Sequence, residues 1–136
     1  MGIVIDTGVF IRWERDGGTV NFGRWAGYGE PAISVVTQSE LMVGVHRANT
    51  AQRREKRLRF VQTIIANVAI LPVDSRIADV HARMVATLSQ SGTTIGPHDN
   101  WIAATAITYD YDLLTTNANE FRRVSDLRVI DYLDTS

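Results

Sequence analysis

Five short apolar runs, each separated from the next by a segment with helical periodicity, constrain the fold of this 136-residue chain more than any other feature. The runs are rich in β-branched residues and fit strands at residues 3–6, 32–36, 68–73, 112–116 and 128–132. The segments between them predict helices at residues 37–48, 51–66, 75–90 and 97–108, with a helical turn at 118–123. Strands that alternate with helices are typical of βαβ units. The pattern predicts an α/β fold, a three-layer α/β/α sandwich with a parallel central sheet, formed by residues 1–136 as a single domain.

The composition excludes several classes of protein. The formal net charge is −1, so the chain as a whole does not attract polyanions, and any nucleic acid must be held by a local patch or through a metal. Cysteine is absent, which rules out disulfides and thiolate metal sites and fits a reducing cytoplasm. The apolar runs are too short to span a bilayer, and the start lacks the basic region of a secretory signal. We therefore expect a soluble cytoplasmic protein with no membrane segment.

Acidic and amide side chains follow several of the predicted strands. Asp6 ends the first strand, Glu40 comes shortly after the second, and Asn117 and Glu120 come directly after the fourth. Asp99 lies in the first turn of the helix that leads into the fourth strand, where it is in phase with the apolar face of that helix. Because ligands bind outside the carboxyl ends of parallel strands, these side chains are expected to meet in one cleft.

Each acid also has a purely structural explanation. Asp6 can cap the helix that follows it, and Thr37 and Glu40 have the T-x-x-E spacing of a capping box. Asp99 suits the positive end of a helix dipole, and Glu120 suits an exposed helix start. Together, however, converging carboxylates repel one another unless a cation lies between them. Hard oxygen ligands favour Mg²⁺ or Mn²⁺, so the joint placement indicates a metal site for phosphate-ester chemistry.

Four segments, taken in order, resemble the PIN-domain ribonucleases, and within them the toxin component of VapBC toxin–antitoxin pairs. They are IVIDTG at the start, the isolated Glu40 after the second strand, GPHDNWIAATA and LLTTNANEF. The resemblance extends from Ile3 to about Tyr132. It implies an α/β/α sandwich and Mg²⁺- or Mn²⁺-dependent endonucleolytic cleavage of RNA that leaves a 5′-phosphate and a 3′-hydroxyl.

The same resemblance assigns roles to individual residues. Asp6, Glu40 and Asp99 match the three main metal-binding and catalytic acids of the family. Glu120, just before Phe121, is the expected fourth acid, because the amide at position 117 contributes no charge. The supporting positions of the family motifs are matched by Thr7, Thr115 and Asn117.

The resemblance also implies partners: an RNA substrate, a VapB-type antitoxin and a second copy of the chain in a homodimer. Family substrates include anticodon loops of tRNA and loops of rRNA, and no residue here indicates which is cut. The main alternative is a catalytically silent module that binds RNA or a peptide and uses its acids as caps. A phosphatase of the haloacid dehalogenase type is disfavoured because Gly8 stands where its second Asp is required and Lys56 is the only lysine.

Basic and aromatic residues have two interpretations each. The run RREKRLR at 53–59 is expected to be a solvated helix face. The alternative is a patch that contacts RNA. Three further arginines are candidates for the same contact with RNA: Arg12, Arg15 and Arg24. The tryptophans are expected in the core or at an interface, with stacking on bases as the alternative: Trp13, Trp25 and Trp101. His98 is expected to face solvent or substrate rather than a metal.

Overall fold

A five-stranded sheet forms the centre of the molecule, and all of its strands are parallel. The structure is a computed structural model that describes residues 1–134. The last two residues of the predicted domain, 135 and 136, lie outside the described part. The strands, in chain order, are β1 (Gly2–Ile5), β2 (Glu30–Ser34), β3 (Ala69–Leu71), β4 (Asp112–Thr115) and β5 (Val129–Asp131). Their spatial order is β3-β2-β1-β4-β5.

Six α-helices and one 3₁₀ segment connect the strands. The helices are α1 (Thr7–Arg15), α2 (Val35–Arg47), α3 (Ala51–Asn67), α4 (Ser75–Gln90), α5 (Pro97–Tyr109) and α6 (Ala118–Phe121), and the 3₁₀ segment spans Gly23–Tyr28. Helices α2 and α3 both lie between β2 and β3, whereas α4 and α5 both lie between β3 and β4. The chain thus follows the alternation that its apolar runs predict.

The helices form two layers, one on each face of the sheet. Ile3 and Ile5 of β1 pack with buried residues of α1, α2 and α3, whereas Val4 packs on the opposite face with α4 and α5. This division follows from the alternation of side chains along a strand. All four residues of β1 are buried, as expected for the middle strand of a sheet covered on both faces. The predicted three-layer α/β/α sandwich is confirmed.

Strand β1 is the point at which the direction of the connections reverses. It pairs with β2 on one side, where Ile3 lies opposite Pro31, and with β4 on the other, where Ile3 lies opposite Asp112. The chain crosses to β2 and β3 on one side and to β4 and β5 on the other. Such a switch point leaves a crevice at the carboxyl end of the strand, which here is the position of Asp6.

The largest differences from the predicted strand boundaries are in the second and third strands, and the other three strands differ by one residue at one or both ends. The second strand ends at Ser34 rather than at 36, and α2 begins at Val35 rather than at 37. The Ser34 side chain caps the helix by accepting the Val36 N–H at 3.1 Å, so the β-branched pair Val35 and Val36 is helical. The third strand is also shorter than predicted, since it covers Ala69–Leu71 alone.

Candidate active site

Asp6 is fixed at the carboxyl end of β1 by both of its oxygens. It is the N-cap of α1, where the Thr7 N–H donates to Oδ1 at 2.9 Å. The Thr115 hydroxyl, at the end of the neighbouring strand β4, donates to Oδ2 at 2.8 Å. The residue is only 6% exposed, and this burial raises the pKa of its carboxyl although both hydrogen bonds lower it. The structure therefore gives Asp6 the predicted capping role and also places it in the crevice.

Glu40 reaches the same place from α2. Its Oε1 accepts the Thr7 hydroxyl at 2.7 Å, and its Oε2 lies 3.3 Å from Nδ1 of His98. The predicted capping box is wrong, because Ser34 is the N-cap and Thr37 is the third residue inside the helix. Glu40 accordingly lies in the second turn of α2 and not in the first. Its side chain points to the crevice and to Thr7 instead of folding back on its own helix.

Asp99 occupies the first turn of α5. Gly96 is the N-cap of this helix and Pro97 is its first residue, as the sequence predicts. Burial, followed by the negative charges of Asp6, Glu120 and Glu40, raises the pKa of Asp99 to about 7, whereas the charge of His98 opposes the shift. Within residues 1–134, no hydrogen bond is donated to this carboxylate.

Glu120 joins the crevice from the short helix α6. Its Oε1 accepts the backbone N–H of Gly96 at 3.0 Å, and its Oε2 accepts the side-chain amide of Asn117. The backbone N–H of Asn117 in turn donates to the Thr115 hydroxyl at 3.0 Å. Asn117 and Glu120 therefore do not compete for one position, because the amide holds the carboxylate.

The four carboxylates act on one another electrostatically. The charges of Glu40 and Glu120 contribute to the raised pKa of Asp6, and the charges of all three contribute to that of Asp99. In the part of the chain that the structure describes, no three acidic or histidine side chains are arranged as ligands of a single ion. The donor chemistry nevertheless fits a hard divalent cation, since four carboxylates converge and a cation relieves their mutual repulsion.

Comparison with known proteins identifies the family. The family model described as "PIN domain" matches residues 3–127. The chain belongs to the PIN-domain family. A ribonuclease VapC1 of Rickettsia felis is 40% identical over 96% of both chains, and a ribonuclease VapC of Rickettsia bellii is 35% identical over the same shares. A chain in the crystal structure of DNA-bound VapBC from Salmonella typhimurium has a TM-score of 0.85 and 25% identity, covering 96% of this chain and 98% of that one. Membership of the PIN family confirms the resemblance found in the sequence motifs.

The tryptophans of this PIN domain lie inside the fold or against other rings. Trp13 of α1 and Trp25 of the 3₁₀ segment are buried in an aromatic cluster that includes Tyr132. Trp101 stacks on His81 of α4 with 3.6 Å between ring centroids. The core interpretation is thus confirmed for Trp13 and Trp25, and the Trp101 ring is already stacked on a protein side chain.

The basic run on α3 lies on an exposed face of the PIN domain, as predicted. Arg59 pairs with Glu55 along the helix, and Arg57 pairs with Glu14 of α1. Together with the end of α1, the helix borders a broad groove on the surface. Arg24 lies elsewhere, over the ring of Trp25, with its guanidinium 4.7 Å from the ring centroid. No helix within residues 1–134 is both long and apolar enough to span a bilayer.

Two contributions to the crevice are absent from the motif-based prediction. The Gly96 backbone N–H holds Glu120, and nothing in a sequence marks a backbone donor that is used across 24 positions. The Thr37 hydroxyl lies 3.0 Å from the Thr7 hydroxyl. The sequence contains a signal for this contact, because residues three apart on a helix share a face, but the same T-x-x-E spacing also fits a capping box.

Proposed function

We propose that this protein is a metal-dependent endoribonuclease, the toxin of a VapBC toxin–antitoxin pair, and that it acts in the cytoplasm. The observation that carries the proposal is the group of four mutually repelling carboxylates at the carboxyl end of β1, with the pKa of Asp99 raised to about 7. Such an arrangement is unfavourable without a cation, and it lies at the switch point of the sheet, where α/β proteins bind ligands. The family and its ribonuclease relatives support the same conclusion.

Asp6, Glu40 and Asp99 are the proposed metal ligands, and Mg²⁺ or Mn²⁺ is the proposed ion. Asp6 is held by two hydrogen bonds and Glu40 by the Thr7 hydroxyl, and each carboxylate keeps lone pairs that these bonds do not use. Asp99 accepts no hydrogen bond within the described chain and is free to take an ion. The bound cation would neutralise a phosphodiester oxygen and lower the pKa of a water molecule.

Glu120 is the proposed fourth acid. It is fixed by the Asn117 amide and by the Gly96 N–H, so it links the end of β4 to the start of α5. This position suits a carboxylate that orients the attacking water or completes the ligand set. Thr7, Thr115 and Asn117 serve as supports, because each donates a hydrogen bond to one of the proposed catalytic acids.

The proposed partners are an RNA substrate, a VapB-type antitoxin and a second copy of the chain. In the proposed reaction, water would attack the phosphorus in line while the P–O3′ bond breaks and O3′ takes up a proton, which gives a 5′-phosphate and a 3′-hydroxyl. The VapBC complex of Salmonella typhimurium supports the antitoxin partner, since the chain matches one of its chains over almost its whole length. Neutralisation by the product of an adjacent small gene is the corresponding genetic test.

Cleavage of purified tRNA and rRNA tests the proposal directly. The wild-type protein should cut RNA in Mg²⁺ or Mn²⁺, lose the activity in EDTA, and produce fragments whose 5′ ends are substrates for a 5′-phosphate-dependent exonuclease. Asp99→Asn should keep the fold and lose at least about 100-fold in rate, because removing an electrostatic catalytic group commonly costs ~10²–10³-fold. Asp79→Asn, an exposed acid on α4, is the matched control and should cut like the wild type.

Two results would contradict the proposal. Equal cleavage by the wild type and Asp99→Asn would mean that the RNA is cut by a contaminant or at another site. Metal-independent RNA binding without cleavage would favour the silent binding module. That alternative rests on the structural uses of the acids, since Asp6 does cap α1 and Glu120 does tie two loops together.

A further inference from the structure

Thr37 is a buried threonine whose hydroxyl has no part in starting its own helix. It is the third residue of α2 and is 0% exposed. Ser34 provides the side-chain cap of this helix by accepting the Val36 N–H. A buried hydroxyl needs a hydrogen-bond partner, and the partner of Thr37 is the Thr7 hydroxyl, 3.0 Å away on the first turn of α1.

The number of hydroxyl protons determines which of the two threonines donates the hydrogen bond. Thr7 has one hydroxyl proton, and two acceptors lie near it: Thr37 Oγ1 at 3.0 Å and Glu40 Oε1 at 2.7 Å. An ionised carboxylate only accepts, so the proton of Thr7 belongs to Glu40, and the Thr37 hydroxyl must donate to Thr7. The three groups form a chain in which Thr37 donates to Thr7 and Thr7 donates to Glu40.

These hydrogen bonds fix Oε1 of Glu40 through Thr7, whereas the other oxygen, Oε2, lies 3.3 Å from Nδ1 of His98. A hydroxyl that receives a hydrogen bond becomes a better donor, so Thr37 strengthens the bond from Thr7 to Glu40.

We propose that Thr37 is a positioning residue for the metal-binding carboxylate Glu40, acting through Thr7. The inference rests on the proposed function, since it assumes that Glu40 binds a cation. Groups that orient a metal ligand without touching the metal typically change affinity by ~10–100-fold when they are removed. Within residues 1–134, Thr37 makes no hydrogen bond to any of the cleft acids, so it acts on Glu40 only through Thr7.

The test uses two changes at position 37, one that removes the hydroxyl and one that keeps it, and a matched control. Thr37→Val removes the hydroxyl and keeps the volume, and Thr37→Ser keeps the hydroxyl. Thr105→Val is the control, because Thr105 is also 0% exposed on a helix, but its hydroxyl donates to the Trp101 carbonyl at 2.8 Å and not to the cleft. Urea unfolding in EDTA and Mn²⁺ calorimetry are measured on all four proteins.

Both valine variants should unfold at lower urea concentrations than the wild type, since each loses one buried hydrogen bond. Only Thr37→Val should also bind Mn²⁺ about tenfold more weakly, while Thr37→Ser and Thr105→Val stay within about twofold of the wild type. In the cleavage assay at saturating Mn²⁺, the KM for RNA should be unchanged by Thr37→Val. Rescue by serine distinguishes a positioning hydroxyl from a packing role.

The outcomes separate this inference from the proposed function. If the wild type does not bind Mn²⁺, the metal site itself is wrong. If the wild type binds and Thr37→Val binds within twofold of it, the inference about Thr37 is overturned while the nuclease stands. Should Thr37→Val fail to fold, Thr37→Ser and Thr37→Ala are compared, because they differ by a single oxygen, and equal Mn²⁺ affinity of these two would overturn the inference as well.

Discussion

At the scale of the residue, Asp99 shows how a side chain can oppose folding and serve the site. Its carboxylate lies on the buried side of α5 among three other acids, and its pKa is raised to about 7. The helix dipole of α5 favours a negative charge at this position, but burial and repulsion are larger. The native protein therefore holds a proton at Asp99 under conditions in which the unfolded chain has released it.

This difference predicts how stability depends on pH without metal. A folded-state pKa above the unfolded value gives stability that is complete below pH 4 and is lost as the pH rises through about 7. Asp99→Asn does not suffer that loss. In EDTA, the free energy of unfolding of this variant minus that of the wild type should therefore increase by ~2 kcal/mol between pH 4.5 and pH 8. Three pKa units correspond to ~4 kcal/mol, and solvent screening of a half-buried group reduces the figure by about half.

Urea unfolding at several pH values measures this effect. Asp6 also has a raised pKa, so the wild-type curve alone does not isolate Asp99, and the difference between the two proteins is the quantity to follow. Asp79→Asn, which is 73% exposed at its side chain, should show no such gain. A difference between Asp99→Asn and the wild type that stays constant from pH 4.5 to 8 would refute the assignment.

The residues of the candidate site differ in how far the sequence predicts them. The topology predicts that Asp6, Glu40 and Glu120 meet at one edge of the sheet, because the carboxyl ends of parallel strands share that edge. Asp99 joins them because it begins the helix that leads into β4. Their assignment as ligands stays a prediction. The hydrogen bonds that hold them depend on how loops distant in sequence approach each other, as with Gly96 and Glu120, and no local pattern encodes that approach.

At the scale of the element, α1 begins in close contact with the end of β4. A Cβ added at Gly8 would lie 2.6 Å from Oγ1 of Thr116, the residue that follows β4. A larger residue at position 8 must therefore displace either this hydroxyl or the first turn of α1. Asp6, which caps the same helix, accepts the hydroxyl of Thr115 at the end of β4, so a displaced helix would weaken that contact.

Replacing Gly8 by Ala should consequently lower both stability and metal affinity. Alanine normally favours a helix over glycine by about 1 kcal/mol, but here the displaced helix should lower the free energy of unfolding by ~1–3 kcal/mol. Gly44→Ala is the matched control on α2, since its Cβ would make an ordinary contact of 3.7 Å with Arg57. The control should be neutral or stabilising in urea unfolding, and a stabilised Gly8→Ala would show that α1 has room to move.

The boundaries of the elements show why sequence prediction failed where it did. The run AISVV contains only β-branched and small residues, so its periodicity gives no sign that the strand ends in its middle. The end is set by Ser34, whose hydroxyl caps α2 once the sheet has placed it there. By contrast, the prediction of a helix at 75–90 is confirmed, because Asp74 is a strong local cap and accepts the Ile77 N–H at 3.1 Å.

At the scale of the whole molecule, the repulsion among the acids predicts that divalent metal stabilises the fold. Binding at 100 times the dissociation constant adds about 2.7 kcal/mol of stability, which for a chain of this size raises Tm by ~10 °C. Thermal unfolding with Mn²⁺ and with EDTA measures the shift. The shift should be largely absent in Asp6→Asn and Asp99→Asn, and a full shift in both variants would place the ion elsewhere.

The same unfolding curves test the prediction of a single domain. Two hydrophobic clusters cover opposite faces of one sheet, and β1 contributes to both through Val4 on one side and Ile3 and Ile5 on the other. The two layers should therefore unfold together, in one transition seen equally by tryptophan fluorescence and far-ultraviolet circular dichroism. Two separate transitions would indicate that the layers are independent.

The central position of β1 has a consequence for the synthesis of the protein. Strand β1 is synthesised before its neighbour β4, since Ile3 lies opposite Asp112. Asp6 likewise receives a hydrogen bond from Thr115, 109 positions later in the chain. On the ribosome the cleft therefore stays incomplete until β4 and α6 have been synthesised. On the proposed function, the fold itself delays nuclease activity until these elements have been made.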